Sequence, residues 1–347
     1  KGETKTLEKI LRIDPLNGTA LLILSDTYRL NGESEKAFET TKKAFQSTTL
    51  SIDSKMRRLL SYYELGTDTT TLKFAFELID VLKEIHPTDA KPFTIAGDYY
   101  YRSNDNNLAA SNFEKALELD PSRYPIWQQL MIIYFDFEDY EKVASLADRS
   151  LELFPSQTTA YYFSGLANLQ LKNYDKCLET LENGLFFIVN NNPLKGQFYT
   201  AIGDAYHGQE NHEESDKAYS KALEIDPNDT YVLNNFSYYL SLRSENLQQA
   251  LSMMKICVEQ KPGVSSYQDT YAWVFFKLKD YDNAQIWLKK AIESGGDSSP
   301  TIVEHYGDVL YFLNQKEEAL KQWIKAKELG LESPILDKKI QDQNWYE

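Results

Sequence analysis

The residues of this 347-residue chain best suited to metal binding or nucleophilic work are four histidines and two cysteines. His207 and His212 stand close together in YHGQENHEE, with Glu210, Glu213 and Glu214 beside them. Imidazoles and carboxylates hold zinc from one helix face when they are spaced by three or four. Here a glycine-containing turn separates the histidines, so the spacing predicts a solvated loop. Cys177 and Cys257 form no CxxC pair and fall on small-residue positions of a helical pattern, where a thiol acts as a small buried hydrophobe. Carboxylate pairs such as Asp136 with Glu138, or Glu213 with Glu214, could supply acid and base only in a low-dielectric pocket that moves one pKa. They fall on predicted turns and outer faces, where water screens them. The chain has no GxSxG, no glycine-rich phosphate loop and no HExxH. These readings give no catalytic residues, no metal and no cofactor. A last candidate is SSYQDTYAWVFFKLKDYDNAQIWLKKAIE, residues 265–293, where aromatics and carboxylates crowd around Asp269 and Trp273.

Composition narrows the partner classes. A formal net charge of −15 repels phosphate backbones, so nucleic acid is not expected as a ligand, and RNA-binding helical repeats are disfavoured for the same reason. Hydrophobic residues at 42% and charged residues at 26% describe a folded chain. No apolar run approaches the roughly 20 residues that span a bilayer. At this length the chain exceeds one ordinary core and should be several domains or an elongated repeat.

The prolines decide for the repeat. Pro87, Pro121 and Pro155 are 34 apart, and Pro193, Pro227 and Pro262 are 34 and 35 apart, with a short insertion near FFIVNNNP. Each period divides into two amphipathic helices at a polar turn such as SNDNN, FEDY, LKNY or LKDY. Alanines recur seven apart, at Ala109 and Ala116 or Ala284 and Ala291, with Phe113, Tyr219, Leu288 and Trp323 set against the small positions. Small against large is how packed helices interdigitate. The 265–293 segment repeats this pattern, with Ala272, Phe275, Ala284, Leu288 and Ala291 in the positions of Gly97, Tyr100, Ala109, Phe113 and Ala116. Most of its aromatics are packing residues.

In these residues the chain resembles the tetratricopeptide repeat family, whose pattern is a Trp, a Leu-Gly three residues on, a Tyr, later an Ala and an aromatic, then Pro. Trp127, Leu130, Tyr134 and Pro155 match it, as do Gly203, Tyr206, Tyr219, Ala222 and Pro227. Gly66 departs from it, standing where Tyr is expected. The resemblance implies an all-α fold, a right-handed α-solenoid of about ten helix-turn-helix repeats. Residues 1–15 would be the second helix of a truncated repeat, 16–332 a continuous array and 333–347 a C-terminal capping helix. The apolar face of TLEKILRIDP asks for a further helix upstream, and with it room for a lipid anchor. A narrower resemblance over Tyr231–Leu331 is to the terminal module of bacterial tetratricopeptide proteins of the cell envelope. It implies a periplasm-facing location, with a cytoplasmic one as the alternative.

The same resemblance assigns a partner groove. In this family the concave face is lined by set positions of the first helix of each pair. Carried onto this chain, the ninth position is Asp26, Glu64, Asp98, Asp204, Tyr238, Trp273 and Asp308, and the twelfth Tyr101, Phe135, His207, Phe276 and Tyr311. Asn234 and Asn235 add amides able to bond a peptide backbone, and Asp269, Glu304 and His305 complete the candidate face. An acid with an aromatic three residues on suits an extended or helical protein segment with basic or amide groups. Family members that hold acidic chaperone tails place Lys and Asn where this chain has Leu22 and Asp26, Thr94 and Asp98, or Thr200 and Asp204, so that ligand is disfavoured. The reading is a non-catalytic scaffold or adaptor that takes protein segments in its groove, assembling a complex at the bacterial envelope. The alternatives are the substrate-recruiting region of a longer enzyme and a cytoplasmic peptide-binding regulator.

Overall fold

A computed structural model describes residues 2–65 and 69–347, and among them every regular element is helical. Gly66 lies outside the described residues, as does the side chain of Glu64. The chain divides into two compact units, Lys1–Phe187 and Ile188–Glu347.

The first unit opens on a lone helix, α1 (Gly2–Ile13), and continues in pairs: α2 (Gly18–Leu30) with α3 (Ser34–Gln46), then α4 (Ile52–Leu65) with α5 (Thr69–Ile85). Three more pairs follow, α6 (Ala90–Arg102) with α7 (Asn106–Leu119), α8 (Tyr124–Asp136) with α9 (Tyr140–Leu153), and α10 (Thr158–Gln170) with α11 (Tyr174–Leu185). The second unit pairs α12 (Asn192–Gly208) with α13 (His212–Ile225) and α14 (Thr230–Arg243) with α15 (Leu247–Gln260). It goes on with α16 (Ser265–Lys277) and α17 (Tyr281–Glu293), α18 (Pro300–Phe312) and α19 (Lys316–Glu328), and a last single helix, α20 (Pro334–Asp342). This is the helix-turn-helix repetition that the proline period predicts.

Local chemistry sets each break. The turn between paired helices contains one residue in the left-handed region, at Asn104, Glu138, Lys172, Glu210, Lys279 and Asn314, with φ between 58° and 64°. That conformation ends a helix by turning the chain out of its axis. The next residue is an Asp or Asn in five of the six cases, and Asp105, Asp139, Asn211 and Asp280 cap the following helix by accepting from a backbone N–H three residues on.

In five of the pairs, contact depends on one small residue facing one large residue sixteen positions later. A Cβ on Gly97 would stand 2.5 Å from the Phe113 ring, on Gly165 2.4 Å from Leu181, on Gly203 2.8 Å from Tyr219 and on Gly307 2.5 Å from Trp323. Ala272 and Leu288, both fully buried, hold the equivalent positions in α16 and α17. Each large side chain fills the groove that its small partner leaves open.

Gly307→Ala should therefore lower the stability of the second unit by about 1–3 kcal/mol, even though alanine is the better helix former. Gly263→Ala, where nothing lies within 4 Å of the added carbon, should be neutral. Urea unfolding of the two variants measures the difference.

Candidate functional site

The small-large seam carries the aspartates with it. Asp98, Asp204 and Asp308 each follow a seam glycine directly, and the structure places them beside the large partner rather than in open solvent. Tyr219 donates its hydroxyl to Asp204 at 2.5 Å, and Trp323 donates its indole N–H to Asp308 at 2.8 Å. Phe113, the residue opposite Asp98, has no such donor. Burial raises Asp98 to about 6, with the Arg123 charge opposing. Burial also raises Asp204 to about 6, against the hydrogen bond from Tyr219. These side chains are half-buried or buried, which neither the groove assignment nor a solvated aspartate anticipates.

A second pattern joins first helices of successive repeats, in which an acid on one meets a cation on the next. Arg58 donates to both carboxylate oxygens of Asp26 at 2.7 and 2.9 Å, and this bond holds the Asp26 carboxyl below its usual range. Lys91 reaches Asp53 at 2.6 Å. In the second unit the pattern becomes buried. His305 meets Asp269 at 2.9 and 3.2 Å, and both are almost fully covered. Burial works against a charged His305, but Asp269, with Asp308 and Glu304 nearby, outweighs it and lifts the imidazole above its ordinary value. Lys339 of α20, 3% exposed, donates to Asp308 at 2.8 and 2.8 Å and to Glu304 at 2.9 Å. Burial raises the Asp308 carboxyl while Lys339 pulls it down, and the net direction is up.

Around this pair the second unit gathers much of the assigned groove. Trp273 stacks on His305 with ring centroids 4.0 Å apart and on Phe276 at 4.6 Å. Tyr311 donates its hydroxyl to Asn344. A cavity of about 290 Å³ lies among Trp273, Lys277, Glu304, His305, Asp308 and Lys339, with the exposed Leu242 and Ile335 also lining it. Trp273 and Phe276 are 7% and 5% exposed, so neither is an open anchor in this arrangement.

The remaining assigned residues lie elsewhere. Asp98 and Tyr101 are on α6 in the first unit, both half-buried. Asn234 donates to Asn235 at 3.2 Å, so the two amides bond each other, and the Asn234 carbonyl oxygen is buried without a partner. Tyr238, half-buried on α14, packs against the cluster of Trp273 and Phe276. Residues 208–211 are exposed, as a solvated loop should be, but the flanking His207 and His212 are half-buried. His207 stacks on Tyr239 at 3.5 Å, its ring lies 5.9 Å from that of His212, and Nδ1 of each is buried. Burial, with His212 and Arg243 nearby, lowers the His207 pKa. Cys177 and Cys257 are buried and not joined in a disulfide, and burial pushes Cys257 up to about 11.

Repeat identity follows from this geometry and from sequence similarity together. A model of the tetratricopeptide repeat matches residues 90–123, 196–229 and 266–294, which cover α6–α7, α12–α13 and α16–α17. This chain carries tetratricopeptide repeats. BBSome complex member BBS4 of Bos taurus is 23% identical over 65% of this chain and 42% of its own length. Superkiller protein 3 of Schizosaccharomyces pombe is 25% identical over 83% of this chain and 22% of its own length. The chain thus spans less than half the length of either relative. The APC/C hetero-tetramer Cut9-Hcn1 superposes with a TM-score of 0.53 at 11% identity, over 94% of this chain and 69% of that one, and shares the fold.

Sequence reasoning missed the cations of the repeat-to-repeat ladder: Arg58, Lys91 and Lys339. The signal was a basic residue roughly one period after an acid, as in Glu304 and Lys339, 35 apart. It also missed the residues of the C-terminal segment that meet the groove.

The tetratricopeptide aspartates make a pH prediction. A carboxyl raised from an ordinary 3.8 to about 6 keeps its proton in the folded state where the unfolded chain has lost it, so stability falls as pH rises from about 4 to 6. Asp204→Asn, which keeps an acceptor for Tyr219, should stabilise the second unit at pH 7 by on the order of 1–3 kcal/mol. It should also flatten the slope between pH 4 and 6 in denaturant titrations. His305 runs in the same direction at higher pH, because its pairing is complete below about 6.5 and is lost as pH passes its raised folded value.

Proposed function

We propose that this chain is a non-catalytic scaffold that binds segments of partner proteins on the face formed by α14, α16 and α18 beside the start of α20. The observation that carries the reading is that this face already holds a polypeptide segment. Residues of the chain's own C-terminal stretch sit against Asp308, Glu304, Tyr311 and Lys277 through side-chain bonds. A surface that fits one segment by charge and aromatic contact has the features needed for another. The acids Asp269, Glu304 and Asp308 favour basic partners, and the exposed Leu242, Phe312 and Ile335 offer apolar contact at the rim. One relative is by its name a member of a protein complex, in keeping with an assembly role.

A bacterial cell-envelope setting is the finer part of the proposal, supported by the resemblance of Tyr231–Leu331 to envelope proteins of this repeat class. No helix among the described residues is long and apolar enough to cross a membrane. Fractionation of the native host, with recovery in the cytoplasmic fraction, would overturn that setting and favour a peptide-binding regulator.

Asp204, Trp273 and Asp308 are poor choices for testing the face, because their hydrogen bonds and burial tie them to stability. Leu242 and Ile335, each 43% exposed, are better. Leu242→Glu with Ile335→Glu should cut recovery of crosslinked partners at least tenfold, with stability changed by no more than about 0.5 kcal/mol. Full recovery with the double variant would remove this face as the binding site.

A further inference from the structure

We infer that residues 339–347 are a tethered occupant of this face, and that the partner is a segment presenting a lysine with an aromatic about six residues beyond it, which must displace them. The inference rests on the reading of this face as a partner site and adds the chemistry of the ligand and the means of its control.

Four side chains make the case. Lys339 enters the acid pair of Asp308 and Glu304 at 2.8 and 2.9 Å. At Gln343 the backbone turns into the left-handed region, φ 48°, which ends α20 and redirects the chain. Beyond it, Asn344 accepts from Tyr311, Trp345 packs on Phe312 with centroids 5.1 Å apart and on Phe276 at 6.2 Å, and Glu347 pairs with Lys277. A helix that only closed the end of a repeat stack needs its apolar contact, which Leu336 supplies from full burial. The residues after Gln343 add contacts to Tyr311, Phe276, Phe312 and Lys277 that this helix contact does not require.

The occupant fits incompletely. The cavity of about 290 Å³ beside it is lined by Trp273, Trp345 and Tyr346. The indole N–H groups of Trp273 and Trp345 are both buried without an acceptor. Trp273 is 7% exposed and is a donor in need of a partner. A foreign segment with a lysine for Asp308, an aromatic for the Phe276 and Phe312 shelf and a carbonyl or carboxylate for Trp273 would satisfy more of this face than residues 339–347 do. Asn344 and Glu347 are exposed, so water competes for their bonds and residues 344–347 can lift before Lys339 leaves. Tethering gives the segment a high effective concentration, which a free partner must exceed.

The test uses a fluorescent peptide of residues 333–347 and anisotropy. Its receptors are the full chain and a chain ended at Glu332, which leaves the place of the peptide open, with folding checked by far-UV circular dichroism. The shortened variant should bind the peptide at least tenfold more tightly than the full chain, and Lys339→Ala or Trp345→Ala in the peptide should each weaken binding at least tenfold. Equal binding to the two receptors, no binding to the shortened one, or indifference to both peptide substitutions would overturn the inference. Should the shortened variant unfold, the full chain with Asn344→Ala and Trp345→Ala replaces it, and a gain of at least threefold is set against none. Peptide indifference with partner recovery still sensitive to Leu242 and Ile335 fails the tethered occupant alone. Recovery insensitive to those two residues fails the partner site itself.

Discussion

The closest approach of paired helices, a glycine or alanine on one set against a large side chain sixteen residues later, is the contact on which the rest of this structure depends. It fixes the distance between the helices of a pair, and with it the depth at which every neighbouring side chain sits. Gly97 under Phe113, Gly203 under Tyr219 and Gly307 under Trp323 leave no room for even one more carbon. Such a seam is intolerant of growth because close-packed interiors have no voids to absorb it.

One consequence falls on the residue after each glycine. An aspartate there is drawn toward the seam, and burial raises its pKa whether or not the large residue has a donor to offer. Tyr219 and Trp323 each give a hydrogen bond, to Asp204 and Asp308, while Phe113 gives none to Asp98. The acid at Asp308 is compensated a second time by Lys339, which explains how a carboxylate 2% exposed persists among apolar side chains. Replacing one partner of such a pair leaves a buried charge, so the groove and the fold share these residues.

The repeat was legible in sequence because its determinants are local and periodic. Prolines, turn residues and small residues recur at fixed offsets, and they report helix ends and close contacts directly. Much of the candidate face was legible too, since Asp269, Trp273, Phe276, Glu304, His305, Asp308 and Tyr311 converge in the second unit. What was not legible is the state of those residues. Burial of Trp273 and Asp308 depends on what crosses them from another repeat, and no single repeat contains that information. His207 illustrates the same point. Its turn looked solvated, but Tyr239, from the following pair, stacks on its ring. Lys339 escaped notice because the polar residues of α20 read as a solvated cap, although its spacing of 35 from Glu304 is one repeat period.

The ladder of acids and cations turns that spacing into a structural rule. At four steps an acid on one first helix is met by a cation on the next: Asp26 with Arg58, Asp53 with Lys91, Asp269 with His305, and Glu304 and Asp308 with Lys339. In the second unit α20 supplies that cation from the first-helix position, starting 34 residues after Pro300. Beyond it, residues 344–347 return over Tyr311, Phe276 and Lys277. The face that each repeat offers its successor is the face on which a foreign segment would lie, because both are recognised by the same acids and aromatics. On the proposed reading, continuation of the fold and capture of a partner are two uses of one surface.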